Sequence, residues 1–425
     1  MLDRITKIIN NKLFKDSFVY VFADIINKAI PFLLLPVLTH YLTPEDYGKL
    51  ASFTSFIGII GIFIGMSAQG AITVNYYKLN KIELSKYIGN IINILLITFI
   101  ISLLIIYLFQ YILVFRIGIS LSWLFIAALM AFASYITTVN LSLWLVEQKP
   151  KKYSSFQIFQ TIITLSVSLF FVIIFSMSWE GRVFGMLIGG GVASVISMIL
   201  LIKRGYLIFN INKNYLKDAI YFGTPLIPHQ LSFWLRSGAI IFILSYIVGD
   251  RETGLYNIGA QFVIPLSVLA AAFNKAWTPY LYRKLSAIPS NDDKRKIVKF
   301  TYLYFFLILF LALILSILSP YIIGIMLDVN FYNAYKYTVI LSFSAAFQGM
   351  YFMVVNYIFY IKKNKYIAYT TFSISIINVI LAYILINKNG SMGAVQAKLF
   401  TSFLNFIMIW YFSNKLYKMP WTLKR

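Results

Sequence analysis

Residues Phe18–Phe56, FVYVFADIINKAIPFLLLPVLTHYLTPEDYGKLASFTSF, decide how this chain is read. From Ser17 to Leu38 nearly every residue is apolar, enough for one membrane crossing at about 20 residues. Asp24 and Lys28 interrupt the run one helical turn apart, on one face, where they can pair. Charges at that depth are costly unless they face protein or water, so they mark a functional site. Pro31 and Pro36 remove helix hydrogen bonds and predict a kink. Thr43 as N-cap, Pro44 at the first helical position and Glu45 and Asp46 in the first turn predict a new helix. The stretch therefore predicts a broken, charged membrane helix, a tight turn, and a second membrane helix from near Leu50.

Composition agrees. The chain is 60% hydrophobic and 12% charged, where soluble domains are about a quarter charged. The first 16 residues are polar and basic, unlike a cleavable signal. With no cysteine and two histidines, neither disulfide nor thiol chemistry is available, little remains to hold zinc or iron, and no cofactor is expected. No G-x-x-x-x-G-K-[ST] occurs, which excludes ATP hydrolysis by that route.

Twelve spans are predicted, near 17–38, 50–72, 88–109, 119–143, 154–176, 183–202, 219–248, 254–280, 300–326, 336–361, 367–387 and 392–413. Their connections alternate in charge. Most of the 37 cations lie at the two chain ends and in the connections around Lys81, Lys151, Lys213, Lys294 and Lys363. The opposite connections hold only Lys49, Arg116, Arg182, Arg251, Lys336 and Lys388. The positive-inside rule then puts both termini in the cytoplasm of a multi-pass protein of the cytoplasmic membrane. The net charge of +23 is thus a topology signal that points to anionic membrane lipids as partners and not to nucleic acid.

The two halves repeat. HYLTPEDYGKLASF follows the first span and SYIVGDRETGLYNIGAQF follows the seventh. Tyr41 matches Tyr246, Gly48 matches Gly254, and Glu45 and Asp46 match acids of the Asp250–Glu252 turn. Both preceding spans carry two prolines, Pro31 and Pro36 against Pro225 and Pro228, and a central cation, Lys28 against Arg236. The expected fold is all-α and integral to the membrane. It has twelve transmembrane helices in two six-helix lobes, 1–205 and 206–425, related by a pseudo-two-fold along the membrane normal. The site is expected between the lobes near the midplane.

Four cations fall inside predicted spans: Lys28, Arg236, Lys275 and Lys398, against the single acid Asp24. Lys28 is neutralised if it pairs with Asp24; Lys275 and Lys398 can snorkel to an interface. Arg236 sits mid-span with no acid near it in sequence, which points to a polar cavity. A net-positive cavity in low dielectric suits a dense anion such as a diphosphate: Arg grips phosphate bidentately and Lys acts as a point charge. Gln230 and Trp234 beside Arg236 offer hydrogen bonding and stacking to sugars. The other tryptophans named by the pattern, Trp123, Trp144, Trp179, Trp277 and Trp410, lie near span ends as an interfacial belt would. The glycines of 58–65 and 185–191 predict close helix contacts.

On PFLLLPVLTHYLTPEDYG (Pro31–Gly48), TPLIP (Thr224–Pro228), GLYNIG (Gly254–Gly259) and AWTPYL (Ala276–Leu281), the sequence resembles Wzx-type polysaccharide-biosynthesis flippases. Their superfamily also contains the multidrug and toxic-compound extrusion transporters. The resemblance runs over the whole chain in span count, spacing and topology. Relatives often carry an Asp-Arg pair in the seventh span, where this chain has Gly238 and Ala239, with Arg236 just before. The resemblance implies a flippase, not an enzyme, that moves polyprenyl-diphosphate-linked oligosaccharide (an O-antigen or capsule repeat unit) across the membrane by alternating access. It also implies association with other polysaccharide-assembly membrane proteins. Lys28, Arg236, Lys275, Lys398, Gln230 and Trp234 are then the substrate-binding candidates. Asp24 is the ion-coupling candidate, for H⁺ or Na⁺. A multidrug or cation antiporter is the nearer rival, but it favours buried acids and only Asp24 is available. A membrane polysaccharide polymerase would be expected to carry a larger extramembrane loop or a cluster of acids.

Overall fold

Polar caps set the limits of the helices. In the computed structural model, which describes residues 12–287 and 290–422 without the side chains of 12–18, 20, 21, 24 and 28, the elements are all helical. The opening stretch folds as its residues predict. α1 (Lys12–Leu33) and α2 (Leu35–Tyr41) are parted at Leu34, between the two prolines. α3 (Pro44–Gly65) starts on a reciprocal capping box in which Thr43 and Asp46 satisfy each other's backbone N–H groups. α4 (Ala68–Asn75) follows a break at Met66 and Ser67, both left-handed at φ 46° and 54°.

Then come α5 (Lys81–Leu108), α6 (Gln110–Ile117), α7 (Leu121–Val146), α8 (Pro150–Leu169) with a π turn at Phe170–Ile174, and α9 (Trp179–Lys203). α10 (Lys213–Gly223) passes through a 3₁₀ turn at Thr224–Leu226 into α11 (Ile227–Ile247). So the seventh span, like the first, is broken beside its prolines. α12 (Asp250–Phe262) and α13 (Ile264–Ser286) are followed by α14 (Asn291–Met326), α15 (Tyr335–Tyr360), α16 (Lys365–Asn389) and α17 (Ser391–Leu416). Among the described residues no strand occurs, and eleven helical stretches are long and apolar enough to cross a membrane. Each coincides with one of the predicted spans from the second onward. The first is represented by the shorter apolar helix Ile25–Tyr41. Helices outrun the apolar runs because their polar caps lie beyond them: the third span is Lys81–Leu108, started by an Asn80–Glu83 capping box.

The chain forms two compact units, Met1–Trp234 and Leu235–Arg425. These differ from the repeat-based lobes in one element pair, since α10 and the first half of α11 pack with the first unit. Asp218 of α10 accepts hydrogen bonds from Tyr87 Oη at 2.7 Å and Asn75 Nδ2 at 3.2 Å. Gly223 sits against the carbonyl of Met66, where a Cβ would come within 1.9 Å of the oxygen.

Inside the first unit α3 packs on α7, and α8 on α9, through glycines. A Cβ at Gly185 would lie 2.0 Å from Ser168 Oγ, and one at Gly189 2.1 Å from Thr164 Oγ1. Inside the second unit α15 is the most buried span, contacted by α12, α13, α14 and α17. The matched acidic turns do the same work in each unit. Asp46 accepts from Trp179 N at 3.3 Å, tying α3 to α9. Glu252 accepts from Tyr337 Oη and from Ser391 Oγ (2.8 Å), tying α12 to α15 and α17.

Candidate functional site

The seventh span carries the candidate residues, and its two halves do different things. In the first half, Gln230 and Trp234 lie one turn apart and face into the first unit. Gln230 Nε2 donates to Ser67 Oγ at the left-handed break between α3 and α4. Trp234 Nε1 donates to the carbonyl of Ser55 at 2.9 Å, and its ring lies over Gly58, 3.3 Å from where a Cβ would be. Both side chains therefore anchor α11 to α3 within that unit.

In the second half Arg236 sits near the middle of α11, half-buried. Lys398, two turns into α17, reaches inward rather than out to the nearer helix end: its Nζ donates to the Arg236 carbonyl oxygen at 3.0 Å. The two cationic heads act on one another, and Arg236 also interacts with the half-buried Tyr351 of α15. Among the described residues Lys398 forms no salt bridge. The second unit thus brings Arg236 and Lys398 together with a phenol. Two neighbouring cations in an apolar interior repel, and an anion between them removes that repulsion. One charge pair at about 4 Å is worth about 4 kcal/mol at an effective dielectric of ~20, against about 1 kcal/mol in bulk water.

Lys275 is exposed on α13. Next to it Asn274 Oδ1 accepts from Asn356 Nδ2 of α15 at 2.8 Å, and Thr278 closes the network. The side chains of Asp24 and Lys28 lie outside the described residues. Between them, Asn27 accepts from Thr161 Oγ1 of α8 at 3.0 Å. Sequence reasoning missed Tyr351, Ser67 and Thr161. Their only signal is that they are polar groups in apolar spans, which does not say what they face.

The span-end tryptophans are at span ends but do not form an exposed belt. Trp144, Trp179 and Trp277 are buried. Trp179 packs on Trp123 and Phe53 (5.2 and 5.9 Å between centroids), and Trp410 on Trp421 (5.1 Å). Helix packing at the ends consumes their ring area first. Just beyond α7, Glu147 accepts from Arg204 and pairs with Lys149 at 2.8 Å, while Arg204 lies over the rings of Trp144 and Tyr206. Burial alone would raise the Glu147 carboxyl. Hydrogen bonds from Lys149 and Tyr206 and the Arg204 charge bring it below the usual carboxylate range. That cluster fastens the ends of α7 and α9 and is structural.

Among the described residues, an all-helical arrangement with eleven apolar spans and polar groups clustered inside them is the architecture of a multi-pass membrane protein. The chain belongs to the polysaccharide biosynthesis protein family, whose sequence profile matches residues 13–284. It is 29% identical over 371 residues to the Lsg locus putative protein 1 of Haemophilus influenzae, covering 84% of this chain and 87% of that one. It is 24% identical over 421 residues to the capsular polysaccharide biosynthesis protein CapF of Staphylococcus aureus, covering 94% and 99%. Two solved structures share the fold. One is an inward-facing multidrug resistance MATE family transporter of the MOP superfamily (TM-score 0.76, 14% identity, 92% and 94% covered). The other is the lipid II flippase MurJ in an inward closed conformation (TM-score 0.75, 15% identity, 94% and 87% covered).

Proposed function

We propose that this protein is a flippase that moves lipid-diphosphate-linked oligosaccharide across the bacterial cytoplasmic membrane by alternating access. The observation that carries the proposal is the meeting of Arg236 and Lys398 in the membrane-spanning part of the second unit. A diphosphate carries roughly two negative charges and matches two cations. Membership of a polysaccharide biosynthesis family and likeness to a capsular polysaccharide protein support a surface-glycan repeat unit as the cargo. The fold is shared by drug transporters and a lipid flippase alike. The cationic pair favours the anionic cargo, since an organic cation would be repelled there. The basic connections at the ends of α4, α7, α9, α13 and α15 support a cytoplasmic location for both termini. Asp24, one turn from Lys28 in α1, is kept as the candidate for coupling H⁺ or Na⁺.

Replacement of Arg236 tests the reading. Arg236→Ala should abolish surface-glycan export, with membrane abundance near that of the wild type. Arg236→Lys, which keeps the charge but loses the bidentate fork, should restore export only in part. Full export by the alanine variant would remove Arg236 from the site.

A further inference from the structure

The glycan part of the cargo needs polar partners of its own, and Gln230 and Trp234 are committed to Ser67 and Ser55. Inside the first unit a cavity of about 430 Å³ lies among α3, α7, α8 and α9. That volume falls within the roughly 300–1,000 Å³ of small-molecule sites. Its polar lining comes from the middle of three spans: Ser134 of α7, Gln160 and Thr164 of α8, and Ser194 of α9. Transporters hold their substrates near the membrane midplane, and lipid headgroups do not reach that depth.

These polar groups are unmet. Among the described residues the side chains of Gln160, Thr164 and Ser194 make no hydrogen bond. They are not sealed in the packing, as Ser197 Oγ is one turn beyond Ser194; their polar atoms keep accessible surface. Ser194 is only 7% exposed, so the cavity it lines is the surface it has. Beside them the wall is apolar, with Met130, Phe132, Met186 and Leu187, and among the described residues no charged side chain lines it. Gly190 and Gly191 keep it open: a Cβ at either would meet nothing within 4 Å.

That mixture selects an occupant. A hydrocarbon chain would leave the amide and the hydroxyls without partners in a membrane interior. An ion would find no opposite charge. Water would satisfy the polar groups but stay against the methionines and the phenyl ring, which is unfavourable. A pyranose ring answers both, with hydroxyls that donate and accept and a C–H face for apolar side chains. We infer that this cavity takes one uncharged sugar ring, whose hydroxyls bond to Gln160, Thr164 and Ser194 and whose C–H face meets Phe132. That the ring belongs to the cargo glycan rests on the flippase reading; the binding of a sugar does not.

The test is saturation-transfer NMR on the full chain in phosphatidylcholine nanodiscs, which carry no sugar detergent. Methyl glycosides of glucose, galactose and N-acetylglucosamine are offered singly at millimolar concentration. Saturation of protein methyl groups should reach the ring protons of at least one. Gln160→Leu removes a donor and an acceptor and should cut that transfer about fivefold or more. Gly191→Leu starts in open space, fills the cavity and should abolish it. Neither replacement breaks a hydrogen bond, so both melting temperatures should hold. No transfer to any glycoside by the wild type, or unchanged transfer in either variant, overturns the inference. So does equal transfer to cyclohexanol, a ring with a single hydroxyl, which makes this a hydrocarbon pocket. Arg236→Ala should bind the glycoside like the wild type, so failure here is separable from failure of the flippase reading.

Discussion

Trp234 illustrates what a residue's neighbours do to its meaning. In the sequence it is a mid-span aromatic two residues from Arg236, the pattern of a sugar-stacking platform. In the fold its N–H is committed to the Ser55 carbonyl and its face to Gly58. Trp234→Phe keeps an aromatic face and loses the donor. It should lower stability by about 1 kcal/mol while leaving transport near normal. An unchanged thermal melt with a raised KM for substrate would instead return Trp234 to the binding site. Lys398 shows the opposite case. Its sequence position, two turns from a helix end, suits snorkelling outward. Only the packing of α17 near α11 shows that an acceptor, the Arg236 carbonyl, lies inward. That partner is 162 residues away in sequence, so no local pattern could reveal it. Arg236 stands out from the sequence alone, because a charge inside an apolar run with no acid close to it in sequence is costly to bury.

At the scale of elements the sequence is far more explicit. The Thr43–Asp46 cap, the break at Leu34 and the repeated acidic turns appear where their residues predict, and the break at Thr224–Leu226 falls on Pro225, one of the two prolines matched between the halves. Each is a local interaction within a few residues. The left-handed break at Met66 and Ser67 was not legible, because neither residue favours that conformation; the neighbouring Gly223 and Gln230 stabilise it. The helix contacts through glycine make a sharp test. At Gly189 a Cβ would lie 2.1 Å from Thr164 Oγ1 and 2.8 Å from Thr164 Cα. Gly191, two residues on, has nothing within 4 Å and borders a cavity of about 430 Å³. Gly189→Ala should therefore destabilise the purified protein by about 1–3 kcal/mol through overpacking. Gly191→Ala should be neutral or stabilising by up to about 1 kcal/mol, from helix propensity alone. Thermal melts in detergent compare them directly. Equal effects would mean that α8 and α9 are not in close contact.

For the whole molecule, charge placement carries most of the account. A chain with 37 cations and 14 acids that is also 60% hydrophobic must segregate its charges, and the proposed orientation puts most of the cations on the cytoplasmic side. Single cysteines introduced into this cysteine-free chain at Lys81 and Lys284 should resist an impermeant reagent added outside intact cells, while one at Lys388 should react. Outside labelling at Lys284 would overturn the orientation.

The central claim is that a diphosphate anion is held by Arg236 and Lys398 during translocation. Its most direct measurement is flipping by the purified protein in proteoliposomes. Transfer of a fluorescent lipid-diphosphate oligosaccharide is followed beside efflux of an organic cation, for the wild type, Arg236→Ala and Lys398→Met. The account predicts that the wild type flips the diphosphate lipid and does not export the cation, and that each variant loses about tenfold or more of the flipping rate. Flipping unchanged in both variants, or cation export by the wild type, would contradict it.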